Sequence, residues 1–171
     1  MDIGNAKYRL GAISRCSAEA IGVPGQRTFR LLLESGAASA TIWMEKEHLL
    51  QLGTYIQEIV ESLSGDTQAV AGAPPEPEWS GRLVSIDFKI EKLALGHDIA
   101  SNCFLVVAHD IEEQDSATVS FWLTMGQGQE LSKEALKVCA AGRPPCFLCG
   151  QPINPDGHVC PRANGHSPLQ L

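Results

Sequence analysis

Ala38-Ser39-Ala40-Thr41-Ile42-Trp43 and Ala117-Thr118-Val119-Ser120-Phe121-Trp122 are two versions of one segment, with small and hydroxylated residues leading to a bulky apolar residue and a tryptophan. The match runs on at a constant separation: Leu52 falls on Leu131, Ile59 on Val138 and Val60 on Cys139. Upstream, Phe29 matches Phe104 once the longer Asp110 to Ser116 turn is allowed for. Self-similarity at a fixed period is the mark of a repeated unit.

The local patterns say what the unit is. Val84, Ile86, Phe88 and Ile90 alternate with Ser85, Asp87, Lys89 and Glu91, the period of a strand with one dry and one wet face. Strands are also predicted at Phe29 to Glu34 and Ala38 to Met44, joined by a Ser35-Gly36 turn, and at Cys103 to Ala108 and Ala117 to Leu123. A weaker strand pattern covers Tyr8 to Ile21. Leu49, Leu52, Ile56, Ile59 and Leu63 form an amphipathic helical stripe from about Lys46, with Glu45 and Glu47 near its positive end. A second helix is predicted from about Gln127 to Ala141, stopped by Gly142 and Pro144-Pro145.

Strands then helix therefore occur on both sides of Gly65 to Pro77, where Ala71-Gly72-Ala73-Pro74-Pro75-Glu76-Pro77 opposes helix and ladder alike. The expectation is an α+β fold: a tandem βββα duplication forming one pseudo-symmetric sheet with helices on one face, plus a C-terminal zinc knuckle. Residues 1–64 are the first repeat, 65–78 the connector, 79–142 the second repeat, and 143–171 the knuckle and tail. Each half alone would expose a sheet face and a helix stripe, which favours one sheet over two small domains. Trp43 and Trp122 read as core, or as covers over the helix starts, ahead of a ligand-stacking role.

At 171 residues, with ordinary apolar and charged fractions, the chain suits one core or two small ones. The first residues carry neither a basic stretch nor an apolar h-region, and no apolar run approaches the roughly 18 residues of a membrane helix, so the expected location is cytoplasmic with no membrane partner. In that compartment six cysteines point to buried thiols or metal ligands rather than disulfides. A net charge of −7 argues against nucleic acid as a partner. Arg143 and Arg162 make only the tail mildly basic.

Three cysteines lie between Cys146 and Cys160. Cys146-Phe147-Leu148-Cys149-Gly150 can wrap one edge of a zinc tetrahedron through a tight turn, with Gly150 free to take positive φ. His158 and Cys160 are two apart, so in extended chain they point the same way and supply the other edge. His166 is the alternative fourth ligand and Cys139 a remote one. Pro145-Cys146-Phe147-Leu148-Cys149 also fits half of the zinc-deaminase signature, but the His-x-Glu half is missing: His97-Asp98-Ile99 and His109-Asp110-Ile111 lack the glutamate. Four protein ligands leave no place for water, so the zinc is read as structural.

The tail, Gly142-Arg143-Pro144-Pro145-Cys146 through Cys149-Gly150 and then Gly157-His158-Val159-Cys160-Pro161-Arg162-Ala163-Asn164-Gly165, closely resembles the ending of an uncharacterised bacterial family, domain of unknown function 3090. Gly25-Gln26-Arg27-Thr28-Phe29 looks like that family's other signature. The resemblance implies a cytoplasmic bacterial protein, often encoded beside a histidine-phosphatase-like and a lipid-kinase-like protein, with no established activity. It also favours His158 over His166 as ligand, and it transfers no catalytic residue.

Gly22 to Thr28 could hold an anion through backbone amides and Arg27, with Gly25, Arg27 and Thr28 as candidate contacts, although a plain β-turn is the simpler reading. Gly96-His97-Asp98 is its counterpart in the second half, and facing loops would frame a shared cleft. His48 and His109 read as solvated, Cys16 and Cys103 as buried, inert thiols. No catalytic set emerges from spacing. The leading expectation is a zinc-containing binding or adaptor protein with a protein partner, and not an enzyme. A small-ligand or phosphate-handling enzyme using the Arg27 and His97 loops is the first alternative, and nucleic-acid binding through the knuckle the second.

Overall fold

The computed structural model describes residues 6–23, 25–63, 65, 72–112 and 118–141. In chain order these form β1 (Tyr8–Ala12), β2 (Arg15–Ile21), β3 (Thr28–Ser35), β4 (Ala38–Met44), helix α1 (Lys46–Ser62), β5 (Val84–Asp98), β6 (Cys103–Asp110), β7 (Val119–Leu123) and helix α2 (Met125–Ala141). The fold is α+β: one seven-stranded mixed sheet, ordered β1-β7-β6-β5-β4-β3-β2, with two helices. Among the described residues no helix is long and apolar enough to cross a membrane.

Three antiparallel neighbours, β2-β3-β4, precede α1, and three more, β5-β6-β7, precede α2. Two parallel pairings join these meanders, β4 with β5 and β7 with β1. β1 and β2 lie at opposite ends of the strand order although only Ile13 and Ser14 separate them, so the sheet curls until the chain itself links its two ends. β5 does alone what β1 and β2 do together. Its first part pairs in parallel with β4 up to Lys89, and its second part, from Ile90, runs antiparallel to β6.

Alternation decides which face is dry. Phe29, Leu31 and Leu33, Ala40, Ile42 and Met44, Phe104 and Val106, and Phe121 and Leu123 all join one core cluster. Leu49, Leu52 and Ile56 of α1 and Met125, Leu131 and Ala135 of α2 belong to the same cluster, so both helices cover the same face. The helices meet at Gly53, whose carbonyl accepts a 2.6 Å bond from the Ser132 hydroxyl. A Cβ at Gly53 would sit 3.2 Å from that of Ala135, a contact only a glycine permits without adjustment.

Helix starts are set by caps. Thr124 and Gln127 bond reciprocally, the Gln127 amide donating to Thr124 Oγ1 at 3.1 Å and the Thr124 amide to Gln127 Oε1 at 3.0 Å. This places the helix start at Met125, two residues ahead of the sequence expectation, because Gln127 is the third residue of the helix and not its first.

Two further expectations need correction. The Tyr8 to Ile21 strand is two strands, broken at Ile13-Ser14. Both tryptophans point away from the helices and cover no helix start. Trp122 is buried in a second cluster with Cys103, Leu105 and Val107 on the opposite sheet face, and its indole donates to Glu76 at 2.8 Å. Trp43 donates to Asp87 at 3.0 Å and lies under the Arg30 guanidinium. The connector and the residue after it are pinned to the sheet: the Ala12 amide donates to the Glu76 carbonyl at 3.1 Å, and the Trp79 amide to the buried Ser35 hydroxyl at 3.0 Å.

Candidate functional site

Cys146, Cys149, His158, Cys160 and His166 lie outside the described residues. Among the described residues no cluster of three or more His, Cys, Asp or Glu side chains is placed to hold a metal ion. Cys139 is buried at the end of α2 with its sulfur 3.8 Å from the Lys46 carbonyl, and burial raises its thiol. Burial likewise raises Cys103, and it pushes Cys16 up to about 12 with the charge of Glu134 adding to it. All three are held as thiols, the unreactive form.

Gly25 has φ +91°, and the Gln26 amide bonds the Val23 carbonyl at 2.9 Å. Arg27 is engaged within the fold: Nη1 donates to the Val138 carbonyl at 3.1 Å, and the guanidinium stacks 5.4 Å over Phe29. α2 has no basic residue in its own last turn, so Arg27 supplies the positive charge its C-terminal end favours. Thr28 opens β3.

His97, expected in a loop, is in β5 opposite Phe104, because the β5-β6 ladder continues to Asp98 and Cys103. Its ring nitrogen lies 2.8 Å from Asn102 Oδ1. The Asp98 carboxylate accepts from both the amide and hydroxyl of Ser101, which holds it below the usual carboxylate range. Phe104 packs under Gly128 near the start of α2, whereas Arg27 reaches Val138 near its end. Roughly ten helical residues, about 15 Å, separate the two contacts. The two loops therefore do not frame one cleft.

A concave site among the described residues lies elsewhere. A groove of about 490 Å³ runs between α1 and the second part of β5. One stripe of α1, His48, Gln51, Leu52, Tyr55, Glu58 and Ile59, forms one wall, and Lys92, Leu93 and Leu95 form the other. The floor is apolar and the rim carries a few polar groups, the make-up of a binding pocket of ordinary size. His48, expected to be merely solvated, caps α1: its Nδ1 accepts the Glu45 amide at 3.3 Å, so the neutral ring bears its proton on Nε2. Lys89 bonds Glu45 at 2.7 Å, which lowers the Glu45 carboxyl and sets the first turn of α1 beside the junction between the two parts of β5.

Why a groove exists here is shown by the corresponding place on the other side. Ala18 faces Leu31 in the β2-β3 ladder as Leu95 faces Val106 in the β5-β6 ladder. At the separation that matches Leu52 to Leu131, Tyr55 falls on Glu134. At β2, Glu134 Oε1 accepts the Ala18 amide at 2.5 Å, and the small side chains of Cys16, Ala18 and Ala20 let α2 close on the strand. At β5 the equivalents are Leu93, Leu95 and His97, too large for that approach, and Tyr55 has no carboxylate and stands half exposed. The groove lies where β5 and β2, compared at matching ladder positions, differ.

A family model described as protein of unknown function (DUF3090) matches residues 8–160. The chain belongs to that family. No curated protein and no solved structure matches this DUF3090 chain. The match takes in the β1 to α2 body with the groove, and the cysteines through Cys160.

Proposed function

We propose that this protein is a non-catalytic binding or adaptor protein whose partner, another protein, is received in the groove between α1 and β5. A structural zinc on Cys146, Cys149, His158 and Cys160 secures the chain after α2 in this reading, with His166 as the alternative fourth ligand. The observation that carries it is the replacement of the Glu134 plug by Tyr55: one strand edge is sealed from within the chain, and its counterpart opens onto a cavity of about 490 Å³. The recurrence of capped helix, meander and parallel junction on both sides of the connector supports a tandem duplication as the origin of the body. Duplication followed by divergence at one of two equivalent places is a simple route to a binding site.

A photo-crosslinking residue at position 55 tests the reading in the native cell. It should capture one protein, which the same group at the exposed Ser85 on the opposite face does not. Absence of any adduct at position 55, together with phosphoester or nucleotide turnover abolished by Arg27→Ala, would replace it with the enzymatic reading.

A further inference from the structure

We infer that the partner enters this groove as an extended strand pairing with the β5 edge, and that it carries an acidic side chain beside Lys92 at the N-terminal end of α1. The inference rests on the groove being the binding site and adds what binds there. Among the described residues β5 beyond Ile90 pairs only with β6, so every second residue turns its N–H and C=O away from β6. The alternation is fixed by its counterpart: the Ala18 amide, bonded to Glu134, faces away from β3. Leu93, Leu95 and His97 therefore offer their main-chain groups along the groove. An unpaired edge of this kind is a template for another strand, and addition of an extended peptide beside a helix is an established recognition mode.

The charge is read from the walls of the groove. In the groove Lys92 and the His48 Nε2 donor stand beside the positive N-terminal end of α1, with Glu58 two to three turns further on. A strand with an acidic residue near Lys92 and alternating apolar side chains on Leu52, Ile59, Leu93 and Leu95 meets each of these surfaces with its complement.

The test is selection of a displayed random heptapeptide library on the full chain, followed by residue-resolved amide exchange with the best peptide. Selected sequences should alternate apolar residues around one fixed Asp or Glu, and the Leu93, Leu95 and His97 amides should exchange at least tenfold more slowly in the complex. Replacing the acidic residue by its amide should weaken binding about tenfold. So should Leu95→Pro, which removes an edge donor without touching the β6 ladder. Should Leu95→Pro prove unfolded by circular dichroism, Tyr55→Glu serves in its place, expected to plug the edge and weaken the same peptide. Peptides that perturb His48 and Tyr55 but leave the three amides unprotected, or that carry no acidic preference, overturn the strand inference while the groove stands. Failure of any peptide to perturb the groove overturns both.

Discussion

Replacing Glu134 by alanine isolates the contact that distinguishes the β2 edge from the β5 edge. Its carboxylate is the partner of the Ala18 amide, and Ala18 is buried. Without it that N–H has no protein acceptor in a place water enters poorly, a loss of about 1–3 kcal/mol. Alanine returns a few tenths of a kcal/mol of helix propensity, which does not offset it. For a chain of this size the net loss lowers Tm by about 3–8 °C. Thermal and urea unfolding followed by circular dichroism measure both quantities. Glu134→Gln keeps an acceptor and should recover most of the loss. The Cys16 thiol, raised chiefly by burial and secondarily by Glu134, should titrate somewhat lower in either variant. A Glu134→Ala protein within 0.5 kcal/mol of wild type, or a Gln variant as damaged as the Ala variant, would refute the plug.

Other consequences follow from the packing and the proposed metal. Gly128→Ala should destabilise by about 1–3 kcal/mol in urea titration despite alanine's better helix propensity, because the new Cβ would lie 2.5 Å from the Phe104 ring. His109 has a buried Nδ1 without a partner among the described residues, contrary to the expectation of a solvated ring, and burial lowers its pKa. Its contribution to stability is thus full above about pH 6.5 and is lost as pH falls through the lowered value, so His109→Phe should flatten the acid limb of Tm against pH. Freshly purified protein should contain about one zinc per chain by elemental analysis, lost on Cys149→Ser. With zinc bound, thiol reagents at neutral pH should find no reactive cysteine. After chelation they should find Cys146, Cys149 and Cys160 but not the raised thiols of Cys16, Cys103 and Cys139.

Where a side-chain period ran unbroken, the fold was legible. Phe29 to Glu34, Ala38 to Met44 and the α1 stripe are placed correctly because each buries one face, and burial imposes the period. The second part of β5 was hidden by a register shift between Ile90 and Lys92: Glu91 and Lys92 are both exposed, and Leu93 then resumes the dry face out of phase. That shift put His97 in an expected loop when it is in a strand. The groove was not legible for a different reason. It depends on which side of a strand its amides face and on the size difference between Ala18 and Leu95, quantities that acquire meaning only when ladder partners are known. The sequence does carry one signal of both helix starts, the three-residue spacing of Glu45 and His48 that matches Thr124 and Gln127. The expected metal ligands lie outside the described residues, so the zinc rests on spacing and chemistry.

Residue-resolved amide exchange on the unliganded chain tests the asymmetry most directly, since it compares two equivalent main-chain donors in one experiment. The account predicts a slow Ala18 amide, protected by Glu134, and a fast Leu95 amide facing an open groove. A Leu95 amide as slow as that of Ala18 would mean that the β5 edge is already sealed, and would contradict the proposed site.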